Sequence, residues 1–186
     1  RQARIPALLP VIEAGTSSAK KHNRRNPMSA DDIVEIQQVL TRYVIAIDTL
    51  QPELMRACFT DDAAMDISGV EAKNIDQYVK LCAASLPGFS ATQHHLGLPA
   101  IHVEGDRASS RCYFMAQHIK NECKPSWFMI GGWYEDDLVR LPQGWRITKR
   151  RGVSLWGEGN PEVFGGHYPP GATPRTAAHA PPSWMT

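Results

Sequence analysis

The chain has 186 residues, 42% of them hydrophobic and 21% charged, which suits one soluble-type domain with tails and enough length to bury a core. The net charge of +1 hides an uneven spread: residues 1–27 carry six Lys/Arg against Glu13, and the rest is mildly acidic at −4. That body offers no basic footprint for nucleic acid, and no apolar run approaches the roughly 20 residues that span a membrane.

Residues 1–27 read as an extension outside the fold. The stretch 5–14 is too short and too broken by Pro6 and Pro10 for an ordinary secretory leader. Ser29-Ala30-Asp31-Asp32 is a helix-start signal, with Ser29 or Asp31 available as N-cap. The first helix is expected over 32–49, its apolar stripe built from Ile33, Ile36, Leu40, Tyr43, Val44 and Ile47. A second, short helix is expected over 52–59, and 64–67 has the pattern of a strand end. A third helix over 74–85 presents Ile75, Tyr78, Val79 and Cys82 on one side and stops at Pro87-Gly88. From about residue 91 the apolar period changes from helical to two. Strands are expected over 92–104, 107–120, 126–141 and 145–156, separated by Gly105-Asp106, by a loop near Cys123–Pro125 and by Pro142-Gln143-Gly144. Helices first and long antiparallel strands second argue for an α+β fold, with a curved sheet wrapped on the helices. From Gly157 onward the tail is rich in Pro and Gly, a cover or arm and not a second domain. The four cysteines have no paired spacing and read as reduced thiols of a cytoplasmic protein.

Positions 36, 40, 44 and 48 form one helical stripe, filled by Ile36, Leu40, Val44 and then Asp48. A carboxylate on a core-facing stripe is costly unless paired. His94, in the strand segment Thr92-Gln93-His94, is the candidate partner, and an imidazole oriented by a carboxylate is a competent general base near neutral pH. The competing reading has Asp48 capping the following turn and His94 as an ordinary strand residue. Tyr43, five residues before Asp48, offers a phenol to a substrate oxygen, or simply fills the core. His118 shares a strand face with Cys112, Phe114 and Ala116, and so points into the same interior or is satisfied by backbone there. His95 points away from His94 and reads as structural. Adjacent histidines on a strand face opposite sides, which gives no metal-ligand pattern. Tyr134 and Arg140 share a face with Phe128, Ile130 and Gly132 and are candidates for holding a carbonyl or anionic group. Gly131-Gly132 makes room for a ligand or a sharp bend. Lys149-Arg150-Arg151 reads as a solvated edge.

The order of these segments resembles the SnoaL-like family of the nuclear transport factor/ketosteroid isomerase-like superfamily, over about residues 28–158. Tyr43-Val44-Ile45-Ala46-Ile47-Asp48 looks like the helix that carries the catalytic Asp in scytalone dehydratase and hexachlorocyclohexane dehydrochlorinase, and matches the Tyr-x4-Asp pattern of bile-acid 7α-dehydratase. Thr92-Gln93-His94, with His118 later, is similar to the scytalone dehydratase segments that carry its two active-site histidines. Gly131-Gly132-Trp133-Tyr134-Glu135-Asp136 with Arg140 resembles the dehydrochlorinase segment that carries an active-site Arg, and Trp156-Gly157-Glu158 again resembles scytalone dehydratase. The Ser and Asn that contact substrate in that enzyme have no match here.

The resemblance implies a cone-shaped barrel with its pocket at the wide end, and a tail over 159–186 acting as lid or arm. It also implies a cofactor-independent dehydratase acting on an apolar cyclic small molecule, with catalytic Asp48, His94, Tyr43 and His118. Tyr134, Arg140, Trp156 and Phe164 would contact substrate. No metal, cofactor, nucleic acid or membrane is expected, and a homo-oligomer, dimer or trimer, is. An isomerase or a polyketide cyclase using the same base, and a non-catalytic module binding a lipid or a partner, are the alternatives.

Overall fold

Ser29 starts the first helix by a reciprocal cap. Its hydroxyl accepts the Asp32 N–H at 3.1 Å, and the Asp32 carboxylate accepts the Ser29 N–H at 3.4 Å. The computed structural model describes residues 29–168, 170–173 and 179–185, so the extension expected over 1–27 lies outside the described residues. From this cap α1 runs Ala30–Asp48 and buries Ile36, Leu40, Tyr43, Val44 and Ile47 on one side. α2 is Pro52–Arg56, shorter than expected, because Phe59 is already the first residue of strand β1, Phe59–Ile67. A tight turn leads to β2, Val70–Ala72. Asn74 then caps α3, Ile75–Ser85, by accepting the Gln77 N–H at 2.9 Å.

The remaining strands are β3 (Ala91–Leu96), β4 (Ala100–Glu104), β5 (Arg107–Ile119), β6 (Trp127–Leu141), β7 (Gly144–Gly159) and β8 (Gly171–Ala172). The strand expected over 92–104 is therefore two. Pro99 has no N–H to give a ladder, and the chain breaks at Gly97-Leu98-Pro99 before pairing again with β5. The sheet order is β2-β1-β7-β6-β5-β3, with β4 also on β5 and β8 on β7. Every pair is antiparallel except β1 with β7, which is parallel. The curved, unclosed sheet is thus mixed where an all-antiparallel one was expected. The chain passes through all the other long strands between β1 and β7, so no hairpin fixes their relative direction.

The helices pack on the concave face of the sheet, in the α+β cone-like arrangement. Trp145 and Ile147 are buried against α1, and the Trp145 indole N–H donates to Asp32 at 3.2 Å, which ties the start of α1 to the start of β7. The four cysteines are free thiols. Among the described residues no helix is long and apolar enough to cross a membrane.

Candidate active site

Between α1, α3 and the concave face lies a cavity of about 310 Å³, walled mainly by aliphatic and aromatic side chains. That size falls at the lower end of ordinary small-molecule pockets. Asp48 is the last residue of α1, where the apolar stripe meets β3. One of its oxygens accepts from the Thr92 hydroxyl at 2.9 Å and lies 2.7 Å from His94 Nδ1; the other accepts the His94 backbone N–H at 2.8 Å. Burial pushes the Asp48 carboxyl up, but the bonds from the His94 ring and backbone and from Thr92 outweigh it and hold the group below its usual value. An ionised carboxylate only accepts, so Nδ1 is the nitrogen that carries hydrogen. In the neutral imidazole the other ring nitrogen, Nε2, then carries the lone pair. The His94 side chain is 7% exposed and lines the cavity.

His118 enters the same cavity from β5. Its ring lies 5.7 Å from that of His94, 4.9 Å from Phe89 and 4.7 Å from Phe164, and its Nδ1 has no hydrogen-bond partner. Burial pushes this imidazole down to about 4, with the nearby His94 adding to the effect. His118 is accordingly neutral at neutral pH. Tyr43 faces the cavity from α1, its hydroxyl 2.6 Å from that of Tyr78 on α3. Tyr134 lines the same space and stacks on Phe114 at 4.4 Å. Burial raises the phenols of Tyr43, Tyr78 and Tyr134, so all three are hydrogen-bonding hydroxyls. Phe164, from the 3-10 helix Pro161–Phe164, puts its ring against Phe89 and Phe128 and closes one side.

Two expected contacts are not in the cavity. Arg140 pairs with Asp32 and with Asp106 (3.3 Å), and lies over the Trp145 ring at 4.5 Å. Asp32 and Asp48 are sixteen residues apart on one helix, so this cluster sits about 24 Å from the His94 end. Trp156 packs on the opposite side of the sheet, beside His95, Tyr113 and Met115, and its ring fills the space left open by Gly131. A third correction concerns Lys149-Arg150-Arg151. Arg150 is 1% exposed and turned inward, bonded twice to Asp136 at 2.6 and 2.8 Å, with its guanidinium 4.0 Å from the Tyr43 ring and 4.5 Å from that of Tyr134.

The inward turn of Arg150 follows from the first of two irregularities in the β6–β7 ladder; the second restores the phase set by Trp145, which leaves Trp156 facing outward. The register shifts between Asp137 and Leu138, leaving Thr148 unpaired, and again between Gly131 and Gly132, leaving Leu155 unpaired. Each extra residue reverses which side chains face inward. Sequence reasoning also missed Tyr78, Phe89, Ser68, Ser154 and Tyr168 as cavity residues. Tyr78 carried a signal, since it shares the inward stripe of α3, but a stripe position does not separate a core tyrosine from one that faces a ligand. Among the described residues no group of three or more His, Cys, Asp or Glu is placed to hold a metal ion.

A model of the SnoaL-like domain matches residues 28–151. An uncharacterised protein of Mycobacterium tuberculosis is 34% identical over 124 residues, covering 64% of this chain and 82% of its own. The terrestric acid biosynthesis cluster protein E of Penicillium crustosum is 28% identical over 137 residues, covering 70% and 87%. Among solved structures, a candidate scytalone dehydratase from Novosphingobium aromaticivorans superposes with a TM-score of 0.64 at 22% identity, over 69% of this chain and 87% of that one. A type 2 hexachlorocyclohexane dehydrochlorinase superposes with a TM-score of 0.61 at 19% identity, over 67% and 86%. At those identities the two structures speak to the fold.

Proposed function

Because the chain belongs to the SnoaL-like domain family, which is related to dehydratases and dehydrochlorinases, we propose that it is a cofactor-independent dehydratase acting on a cyclic, largely apolar ketone. The observation that carries this reading is the 2.7 Å bond between Asp48 and His94 at the wall of an apolar cavity. A receptor for an apolar ligand gains nothing from a half-buried carboxylate that organises an imidazole.

In the proposed reaction His94 Nε2 removes a proton from the carbon next to the substrate carbonyl. Asp48 stabilises the imidazolium that results. Of the Tyr43 and Tyr78 hydroxyls, already bonded to each other, one donates to the developing enolate oxygen while the other donates to that first hydroxyl. The enolate then expels the β-hydroxyl, which takes the proton that His94 has just acquired. One proton and one hydroxide leave as water, and the base returns to its starting state. His118 is neutral and orients the departing hydroxyl through a ring N–H or nitrogen. Dehydration and dehydrochlorination are both eliminations that begin with loss of a proton, which is the common ground with the structural neighbours.

A second reading has a specific observation in its favour. With His118 held near 4, the cavity has no second acid matched to neutral pH. A single base that takes a proton and returns it elsewhere on the same ring is an isomerase.

Deuterium uptake from heavy water into a panel of cyclic ketones and β-hydroxy ketones tests the base directly. Asp48→Asn and His94→Ala are each expected to slow uptake by about 10²- to 10⁴-fold while keeping the circular dichroism of the parent. Near-normal uptake in Asp48→Asn would sink the scheme. Release of water from a β-hydroxy ketone, against migration of a double bond, separates dehydratase from isomerase.

A further inference from the structure

The cavity wall formed by β1 and β7 holds three hydroxyls that the proposed chemistry at His94 does not use. Ser68 lies in the turn between β1 and β2, Ser154 in β7, and Tyr168 just beyond the 3-10 helix Pro161–Phe164; all three line the cavity. They form a chain. The Tyr168 hydroxyl donates to Ser154 Oγ, Ser154 and Ser68 Oγ are 2.7 Å apart, and Ser68 Oγ donates to the Gly152 carbonyl at 3.4 Å. Three O–H protons are consumed in the order Tyr168 to Ser154 to Ser68 to backbone. The chain therefore begins at the Tyr168 oxygen, an acceptor that has given its only proton away.

The position of this chain is fixed by the sheet. Ser154 pairs across to Gly132, Gly132 to Phe114, and Phe114 to Leu96, two residues along β3 from His94. Three strand spacings separate β7 from β3, about 14 Å measured along the sheet and less across its concave side. Gly132 lets β6 and β7 close up in the middle of this row: a Cβ there would meet the Phe114 ring at 3.0 Å and the Val153 carbonyl oxygen at 2.0 Å. Ser68 holds its place with φ of 54°, in the left-handed region that a serine occupies at a cost.

We propose that Tyr168, Ser154 and Ser68 form a second polar subsite, which accepts a hydrogen bond from a hydroxyl carried by the substrate at the end remote from its reacting carbonyl. The substrate class is then a cyclic ketone with a hydroxyl remote from its carbonyl, not a uniformly apolar ring. This rests on reading the cavity as the substrate pocket, and it is independent of which residue is the base.

Titration calorimetry with two probes reads the subsite without turnover: tetralone, and a tetralone hydroxylated on the ring away from the carbonyl. The parent protein is expected to bind the hydroxylated probe about threefold to tenfold more tightly, the worth of one neutral hydrogen bond. Tyr168→Phe and Ser68→Gly are each expected to bring the two affinities together. The second of these relieves the left-handed serine and so keeps the fold even if the first loosens the tail. Equal affinities on the parent, failure to bind either probe included, overturn the subsite, as does a preference that survives in both variants. Deuterium uptake measured on the same samples keeps the two readings apart. No uptake alongside an intact hydroxyl preference counts against His94 as base and leaves the subsite standing.

Discussion

His118 is 7% exposed, its Nδ1 is unbonded, and Phe89 and Phe164 flank its ring, so a backbone bond at Ala116 and the more distant Asp48 offset its lost hydration only in part. Burial first, and His94 second, move its titration from the ordinary 6.5 to about 4. The sign of the consequence follows from proton counts. Between those two values the unfolded chain holds a proton on this residue that the folded chain refuses, so stability falls as pH drops from about 6.5 to about 4. The full loss is on the order of 3 kcal/mol. Asp48 contributes in a different window. Its carboxyl sits below the ordinary 3.8 when folded, so its contribution is complete above that value and is lost only as pH falls beneath it. Urea unfolding followed from pH 7 to pH 4 should show a declining midpoint for the parent and a much flatter one for His118→Gln. An equal decline in both would mean that this imidazole titrates freely in the fold.

At the scale of elements, the β6–β7 ladder decides what reaches the cavity, and its two irregularities depend on local space. A Cβ on Gly131 would lie 2.1 Å from the Trp156 ring, and one on Gly132 would lie 2.0 Å from the Val153 carbonyl oxygen. The first obstacle is a side chain that can turn; the second is backbone. Gly132→Ala should therefore cost more than Gly131→Ala, by about 2 kcal/mol or more in chemical denaturation, since the strands themselves must part. Similar losses for the two would place the strain elsewhere. This ladder also marks where the sequence was legible. The ends of α1, α3, β5, β6 and β7 were readable to within a few residues, because Ser29, Asn74, Gly105-Asp106 and Pro142-Gln143-Gly144 act on their own neighbours. The unpaired Thr148 and Leu155 were not, since a strict alternation contains no sign of an inserted residue. Arg150 was for that reason read as part of a solvated edge, whereas Trp156 was placed at the site by resemblance alone, since alternation from Trp145 itself points it outward. The parallel pairing of β1 with β7 was hidden for a related reason: it joins segments more than eighty residues apart and leaves no turn between them.

Across the whole molecule α1 is held at both ends by carboxylates, Asp32 against Trp145 and Arg140, Asp48 against His94 and Thr92. Asp48, His94, Tyr43, His118 and Tyr134 were traceable in the sequence because each stands on an inward stripe of its own element. Ser68, Tyr168 and the Arg150–Asp136 pair were not, because only the assembled layers bring the β1–β2 turn, the tail and β7 together. That buried pair sits where α1, β1, β6 and β7 converge, and the guanidinium faces the rings of Tyr43, Tyr134 and, at 5.7 Å, Phe59. Desolvation opposes the charge on Arg150, and the Asp136 carboxylate more than restores it, so the cation is permanent. Removing Arg150 alone, as in Arg150→Met, strands a buried carboxylate and should cost about 3–5 kcal/mol in unfolding free energy. Arg150→Met combined with Asp136→Leu should recover most of that loss, because an apolar pair of similar volume needs no mutual compensation. Activity should not recover with it. The cation against the Tyr43 face favours negative charge on that phenol, which is the charge that a hydrogen-bonded enolate shares. The double variant is therefore expected to unfold near the parent's urea midpoint yet exchange deuterium about tenfold more slowly, with the change in turnover and not in KM. If stability and exchange return together, the pair is packing alone, and Tyr43 needs no cation behind it.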